Sequence, residues 1–215
     1  MPEIINNACL SGRPGGFILT DRAMELGGFS RGDKILDLGC GSGATVEYLR
    51  SNYLLEASGL DKNPALSSET LSIIKSSAEK TPAPDSTFDG ILMECSFSLM
   101  DKPAKVLDEC DRVLKPDGKL MVSDIYARGA PANLQGCLGR IDSRENIIKL
   151  FEEHRFKVLL FEDHTRLLQS MWGQMIFEQG AREFYGKLGA GPDEFRKIRC
   201  GYYLMLAVKT DPNIL

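Results

Sequence analysis

Histidine is nearly absent from this 215-residue chain, at two residues, and tryptophan occurs once. Neither His154 nor His164 has a partner at a diagnostic spacing, so a histidine-based metal site or catalytic dyad is not indicated. Both read as surface or strand-end residues. The six cysteines (9, 40, 95, 110, 137 and 200) include no Cys-x-x-Cys pair, which argues against a zinc module and gives no sign of a disulfide framework. Cys40, Cys95, Cys110 and Cys200 read as reduced, buried, small apolar residues. No apolar run approaches the roughly 20 residues of a membrane span, and Met1–Asn7 has neither the charged nor the apolar region of a secretory leader. A cytoplasmic location is the expectation. Excess positive charge is missing as well. The chain has 26 Lys and Arg against 30 Asp and Glu, a net of −4, whereas generic binders of nucleic acid or anionic membranes need a basic footprint.

What is present is a chain 43% hydrophobic, of a length that suits one α/β domain over 1–215. Its organising stretch is Lys34-Ile35-Leu36-Asp37-Leu38-Gly39-Cys40-Gly41-Ser42-Gly43, which runs into the helical pattern of 44–52. This reads as strand, tight turn, helix. Glycine at alternate positions removes the Cβ, so the backbone can take positive φ and a ligand can lie against the main chain.

Before this stretch, 1–30 reads as an N-terminal cap segment. It is irregular through Arg13-Pro14-Gly15-Gly16, then an amphipathic helix over 17–26 closed by Gly27-Gly28. After it, a second strand runs over 54–60 to Asp61, a helix starts near Pro64, and a third strand covers 71–75. A fourth strand covers 88–94, a helix 103–114, and Lys115-Pro116-Asp117-Gly118 forms a turn into a fifth strand over 119–125. Residues 127–142 are rich in Gly and Pro and read as a surface loop or lid. Ser143 caps a helix through Glu153, a sixth strand spans 156–161 and a seventh 202–208. Between these two strands lies a helical insertion, 164–201, whose helix from Arg166 to Gln179 carries an apolar stripe of Leu168, Met171, Trp172, Met175 and Ile176. Strands alternating with helices predict a mostly parallel sheet with helices on both faces.

Ile35–Gly43 resembles the first signature of class I S-adenosylmethionine-dependent methyltransferases, in the methyltransferase type 11-like group. Further similarity lies in Ser77-Ala78-Glu79, in Phe88–Met93, and in Arg112-Val113-Leu114-Lys115-Pro116-Asp117-Gly118-Lys119-Leu120. The resemblance is strong over 31–126, the donor-binding half, and weaker over 143–208. It implies a Rossmann-like sheet of seven strands and S-adenosylmethionine as cofactor. It implies donor contacts from Asp37, Gly39, Gly41 and Gly43, from Asp61 at the ribose hydroxyls with Lys62 beside it, from Ala78 and Glu79 near the adenine, and from Glu94. Ser77 stands where the family usually has aspartate, which leaves the adenine amino contact open.

The expected activity is methyl transfer to a small-molecule acceptor, giving S-adenosylhomocysteine. Alignment and desolvation can carry such a displacement, so no general base is required. The fourth strand ends Met93-Glu94-Cys95-Ser96-Phe97, not in the Asn/Asp-Pro-Pro-Tyr/Phe motif of DNA and protein-glutamine methyltransferases, and those substrates are disfavoured. Tyr126, with Arg128, is placed toward the acceptor, and Tyr126 and Cys137 are the candidates for a catalytic part. Gln135–Arg140 around Cys137 loosely resembles arsenite methyltransferases, and a soft thiolate suits a soft metalloid, so a metalloid or thiol methyltransferase using Cys137 is the enzymatic alternative. No second cysteine in reach is matched, and no resident metal is expected. A non-catalytic donor-binding regulator is the reading from another class. The 164–201 insertion either caps the substrate pocket or forms a homodimer contact.

Overall fold

A computed structural model describes residues 12–64 and 72–210. A first helix, α1 (Ile18–Gly27), buries Leu19, Ala23 and Met24 and stops at Gly28, whose φ of 58° is the left-handed conformation that ends a helix cheaply. The strand β1 (Lys34–Leu38) then pairs in parallel with β2 (Glu56–Asp61) on one side and β4 (Phe88–Glu94) on the other. Flanked on both edges and covered on both faces, it is buried from Ile35 to Leu38 and apolar there except at Asp37. Between β1 and β2 runs α2 (Ala44–Tyr53), and β3 (Ile73–Lys75) adds to β2. The helix expected from Pro64 falls on 65–71, outside the described residues.

The remaining elements are α3 (Pro103–Val113), β5 (Leu114–Ala127), β6 (Ala132–Asn133), β7 (Arg140–Ile141), α4 (Arg144–Glu153), β8 (Phe156–Asp163), α5 (Thr165–Gln179), α6 (Ala181–Leu188), α7 (Pro192–Ile198) and β9 (Cys200–Lys209). The expected sixth and seventh strands are therefore β8 and β9. The main sheet has seven strands in the order β3-β2-β1-β4-β5-β9-β8. Only β9 runs against the others. One face carries α3 and α4, the other α1, α2 and the α5–α7 insertion.

Two expectations are corrected. The turn at 115–118 is a bulge inside β5, where Phe88 pairs with Leu114 and Gly90 with Lys119. Five steps on one strand meet two on its neighbour, and Asp117, at φ 60°, takes up the excess. The stretch 127–142 is not a simple surface loop. It holds the β6–β7 hairpin, which buries Leu134, Leu138 and Ile141 against Leu168, Phe184 and Ile198 of the insertion. Its apolar residues are too widely spaced to show a period, so the sequence hides the anchoring.

Candidate donor cleft

At the carboxyl ends of β1, β2 and β4, where the strand order reverses direction, lies a cleft of about 420 Å³. Open α/β sheets bind ligands at this kind of point. Gly39 and Gly41 form its floor, Asp61 and Lys62 one wall, Ser77, Ala78 and Glu79 the far end, and Cys95, Ser96 and Leu99 the opposite side.

The floor is shaped by backbone conformation. Gly39, Gly41 and Gly43 have φ of 82°, 52° and 81°, and a Cβ on Gly39 would lie 2.5 Å from that of Ser96. The loop hangs from β2 and its end, since Gly39 N donates to the Leu60 carbonyl at 2.7 Å and Gly41 N to Asp61 Oδ2 at 2.9 Å. Asp61 Oδ1 accepts from Asn63 N at 2.7 Å, which fixes the carboxylate at the rim. Ser77 Oγ donates to Glu79 Oε2 at 2.9 Å, so the serine at the family's aspartate position orients its neighbouring acid. Lys62 and Asp101 face each other across the mouth at 3.5 Å, both exposed.

Asp37 and Glu94 lie beneath this floor and not on the cleft lining. Asp37 is 3% exposed, and no hydrogen bond offsets its burial among the described residues. Burial first, and the negative charge of Glu94 second, push its carboxyl well above the usual range. Glu94 accepts from Thr20 Oγ1 at 2.7 Å and Thr45 Oγ1 at 2.9 Å and forms an ion pair with Arg13. Arg13, Thr20 and Thr45 were not singled out from sequence. Arg13 is 81 positions from its partner, and no local pattern encodes such a pairing.

Cys95, at φ 53°, lines the cleft with its Sγ 2.9 Å from the Tyr202 hydroxyl, and burial pushes its thiol up to about 12. It is a neutral thiol near neutral pH. Cys40 turns under the loop against Gly59. Tyr126 is not brought to the cleft. It is absent from the cleft lining, and its hydroxyl donates to Asp163 Oδ2 at 2.8 Å beside Phe161 and Tyr203, farther along the sheet. Arg128 donates to the Arg199 carbonyl at 3.3 Å. Cys137 is half-buried on the hairpin, with its Sγ 3.8 Å from the Lys187 carbonyl, and it is disulfide-bonded, where no disulfide was expected, whereas Cys40, Cys95, Cys110 and Cys200 are free as expected. His154 and His164 meet Asp108 and Glu162, as strand-end residues would. Trp172 packs on Phe184 and Phe195 in the insertion. No group of three or more His, Cys, Asp or Glu among the described residues is placed to hold a metal, and no helix there is long and apolar enough to cross a membrane.

Residues 36–122 match the family model described as "Methyltransferase domain". Phosphoethanolamine N-methyltransferase 3 of Arabidopsis thaliana is 31% identical over 53% of this chain and 25% of that protein. The chain spans between 25% and 60% of the length of the first curated relatives it matches. Among solved structures, the Haemonchus contortus phosphoethanolamine N-methyltransferase 2, bound to phosphomonomethylethanolamine and S-adenosylhomocysteine, superposes with a TM-score of 0.72 at 16% identity, covering 93% of this chain and 54% of that one. The [4+2]-cyclase SpnF superposes at 0.69 with 22% identity, covering 89% and 80%. These likenesses share the fold, and the cyclase shows that the fold alone does not fix a reaction. The ordered motifs, their convergence on one cleft and the match over 36–122 agree: this part of the chain is similar to the methyltransferase domain.

Proposed function

We propose that this chain binds S-adenosylmethionine in the cleft and transfers its methyl group to a small-molecule acceptor, releasing S-adenosylhomocysteine. The observation that carries the reading is that Gly39, Gly41, Asp61, Ser77, Ala78 and Glu79 line one cavity. The residues fit the group. The Gly39–Gly41 floor has no Cβ to obstruct a ligand, Asp61 presents a fixed carboxylate to a diol, and the buried acids Asp37 and Glu94 favour a cationic ligand end. When bound, the donor supplies an electrophilic methyl on a positive sulfur, which an acceptor lone pair takes as the carbon–sulfur bond breaks.

The chain's own part is to hold and align. Gly39 and Gly41 set the depth of the site, Asp61 its register, and Ser77–Glu79 its far end. Cys95 and Ser96 form the side wall from which water would be excluded. A small acceptor agrees with the modest cleft volume and with the absence of an Asn/Asp-Pro-Pro motif after β4. Nothing in the geometry favours the metalloid or thiol alternative, because the disulfide leaves Cys137 without a thiolate to offer.

Calorimetric titration with S-adenosylmethionine and S-adenosylhomocysteine tests the cofactor. Wild type binds both, and Asp61→Ala and Gly41→Val each lose about tenfold or more. An absence of binding by wild type, or full affinity in both variants, would sink the assignment. A panel of amines, hydroxyls and thiols, read by a 14 Da mass gain of the product, then identifies the acceptor.

A further inference from the structure

Cys95, Ser96, Leu99, Met100 and Asp101 form the side of the cleft that faces Asp61 and Lys62. This wall does not hold itself in place. Its regular part is a single 3-10 turn, Phe97–Leu99, and Ser96 before it makes no side-chain cap. So short a turn leaves its first N–H groups without an internal partner, and other elements must supply them.

Each part of the wall is tied to something behind it. Cys95 N donates to the Ser123 carbonyl at 2.8 Å, and Ser96 Oγ to the Leu38 carbonyl at 2.7 Å. Asp124 of β5, 2% exposed, accepts from Ser98 N at 2.8 Å and from Ser98 Oγ at 3.0 Å. Arg140 of β7 donates from Nη1 to the Met100 carbonyl at 3.4 Å, its guanidinium carbon lies 5.3 Å from the Phe97 centroid, and Asp142 forms an ion pair with it. Gly139 sits so close that a Cβ there would overlap the Ser98 carbonyl oxygen. About 10 Å³ is left among Phe97, Ser98, Asp124, Arg140, Ile147 and Tyr203, room for no more than one water. The wall is packed against its supports and follows them.

Charge is a costly filling for such a place. A buried carboxylate and a half-buried guanidinium lose hydration that an apolar pair would not, and what they supply instead is directed hydrogen bonding. Here both direct it at the turn. Arg140 also belongs to the hairpin that Leu134, Leu138 and Ile141 anchor to the insertion, so the wall is joined to the insertion through Arg140 and Gly139.

We propose that Arg140 and Asp124 are positioning residues for the donor: neither lines the cleft, and together they set how far the 95–101 wall stands from Asp61 and Lys62. The proposal rests on the donor reading above. Asp124 acts at Ser98 and Arg140 at Met100, so the turn is held at both ends from behind.

The test reads affinity for S-adenosylhomocysteine by calorimetry, at a temperature where circular dichroism shows every variant folded, so that a loss reports the site and not the amount of folded protein. Arg140→Ala should bind about tenfold more weakly at unchanged stoichiometry, Arg140→Lys should recover part of the loss, and Asp124→Asn should lose less than Asp124→Ala. Gly139→Ala, which pushes on the Ser98 carbonyl and removes no charge, should weaken binding as well. Arg144→Ala is the control, since its guanidinium lies over Phe161 of β8 instead, and it should bind as wild type does. Amide hydrogen exchange over 96–101 in the donor-free protein should quicken in Arg140→Ala and stay unchanged in the control. Wild-type affinity in folded Arg140→Ala, or an equal loss in Arg144→Ala, overturns the proposal. If wild type binds no S-adenosylhomocysteine, the donor reading has failed and this proposal with it, a result distinct from the other two. Should Arg140→Ala not fold, Arg140→Lys decides alone: affinity equal to that of wild type overturns the proposal.

Discussion

Asp37 is the residue at which stability and binding pull apart. Its folded carboxyl is held well above the ordinary value of 3.8, by burial and then by Glu94, so burial disfavours its charged form. The sign follows from linkage. A raised folded value means that this group's favourable contribution is complete below about pH 3.8 and is lost as pH rises through the folded value. An Asp37→Asn variant removes the charge and keeps the shape. Its advantage in melting temperature over wild type should be near zero in acid and grow steadily with pH, while its affinity for S-adenosylmethionine falls. Paired melts across pH, alongside titration at neutral pH, check both halves, and a melting advantage that shrinks as pH rises would contradict the argument. The sequence marked Asp37 through its motif. It did not show that the acid is buried, because burial depends on what β4 and α2 place around it.

At the scale of elements, the far end of the cleft depends on α3. Arg112 donates to the Thr81 and Ala83 carbonyls at 3.0 and 2.9 Å, and Glu109 accepts from Thr81 N at 2.6 Å. Arg112 also pairs with Glu109 and Asp85, both at 2.6 Å. One helix thus holds the chain that follows Ser77–Glu79. Arg112→Ala should cost about 1–3 kcal/mol in urea unfolding, since it leaves two carbonyls and a carboxylate without a donor. It should also weaken donor binding although it touches no ligand. Unchanged affinity in a destabilised variant would separate the network from the site. Arg112 was visible in sequence as part of the run into β5, but its grip on the loop was not. The loop lies about 30 positions earlier, at 81–85, and the link forms only when α3 packs on the sheet.

For the whole molecule, the three apolar clusters join α1, the sheet and the insertion, so a ligand in the cleft should stabilise the fold as one unit. S-adenosylhomocysteine at about 100 times its dissociation constant should add about 2.7 kcal/mol, seen as a single shifted thermal transition. A transition that splits in two would show that the insertion, with Phe177 at 91% exposure, melts apart from the donor half. The sequence by itself determined the order of the main strands and helices, the glycine turn and the acids near the ends of β1 and β2. These rest on period, on backbone freedom and on short-range spacing, all written in neighbouring residues. It also determined the insertion between β8 and β9, though the break of α6 and α7 from α5 was not foreseen. Only the tertiary structure decided that Tyr126 bonds to Asp163 and does not join the cleft lining, that the 127–142 stretch is an anchored hairpin, that Cys137 is disulfide-bonded, and that Arg13 reaches Glu94. Each of these depends on strand register or on contacts between segments far apart in sequence, and no local pattern of residues encodes where two distant segments will meet.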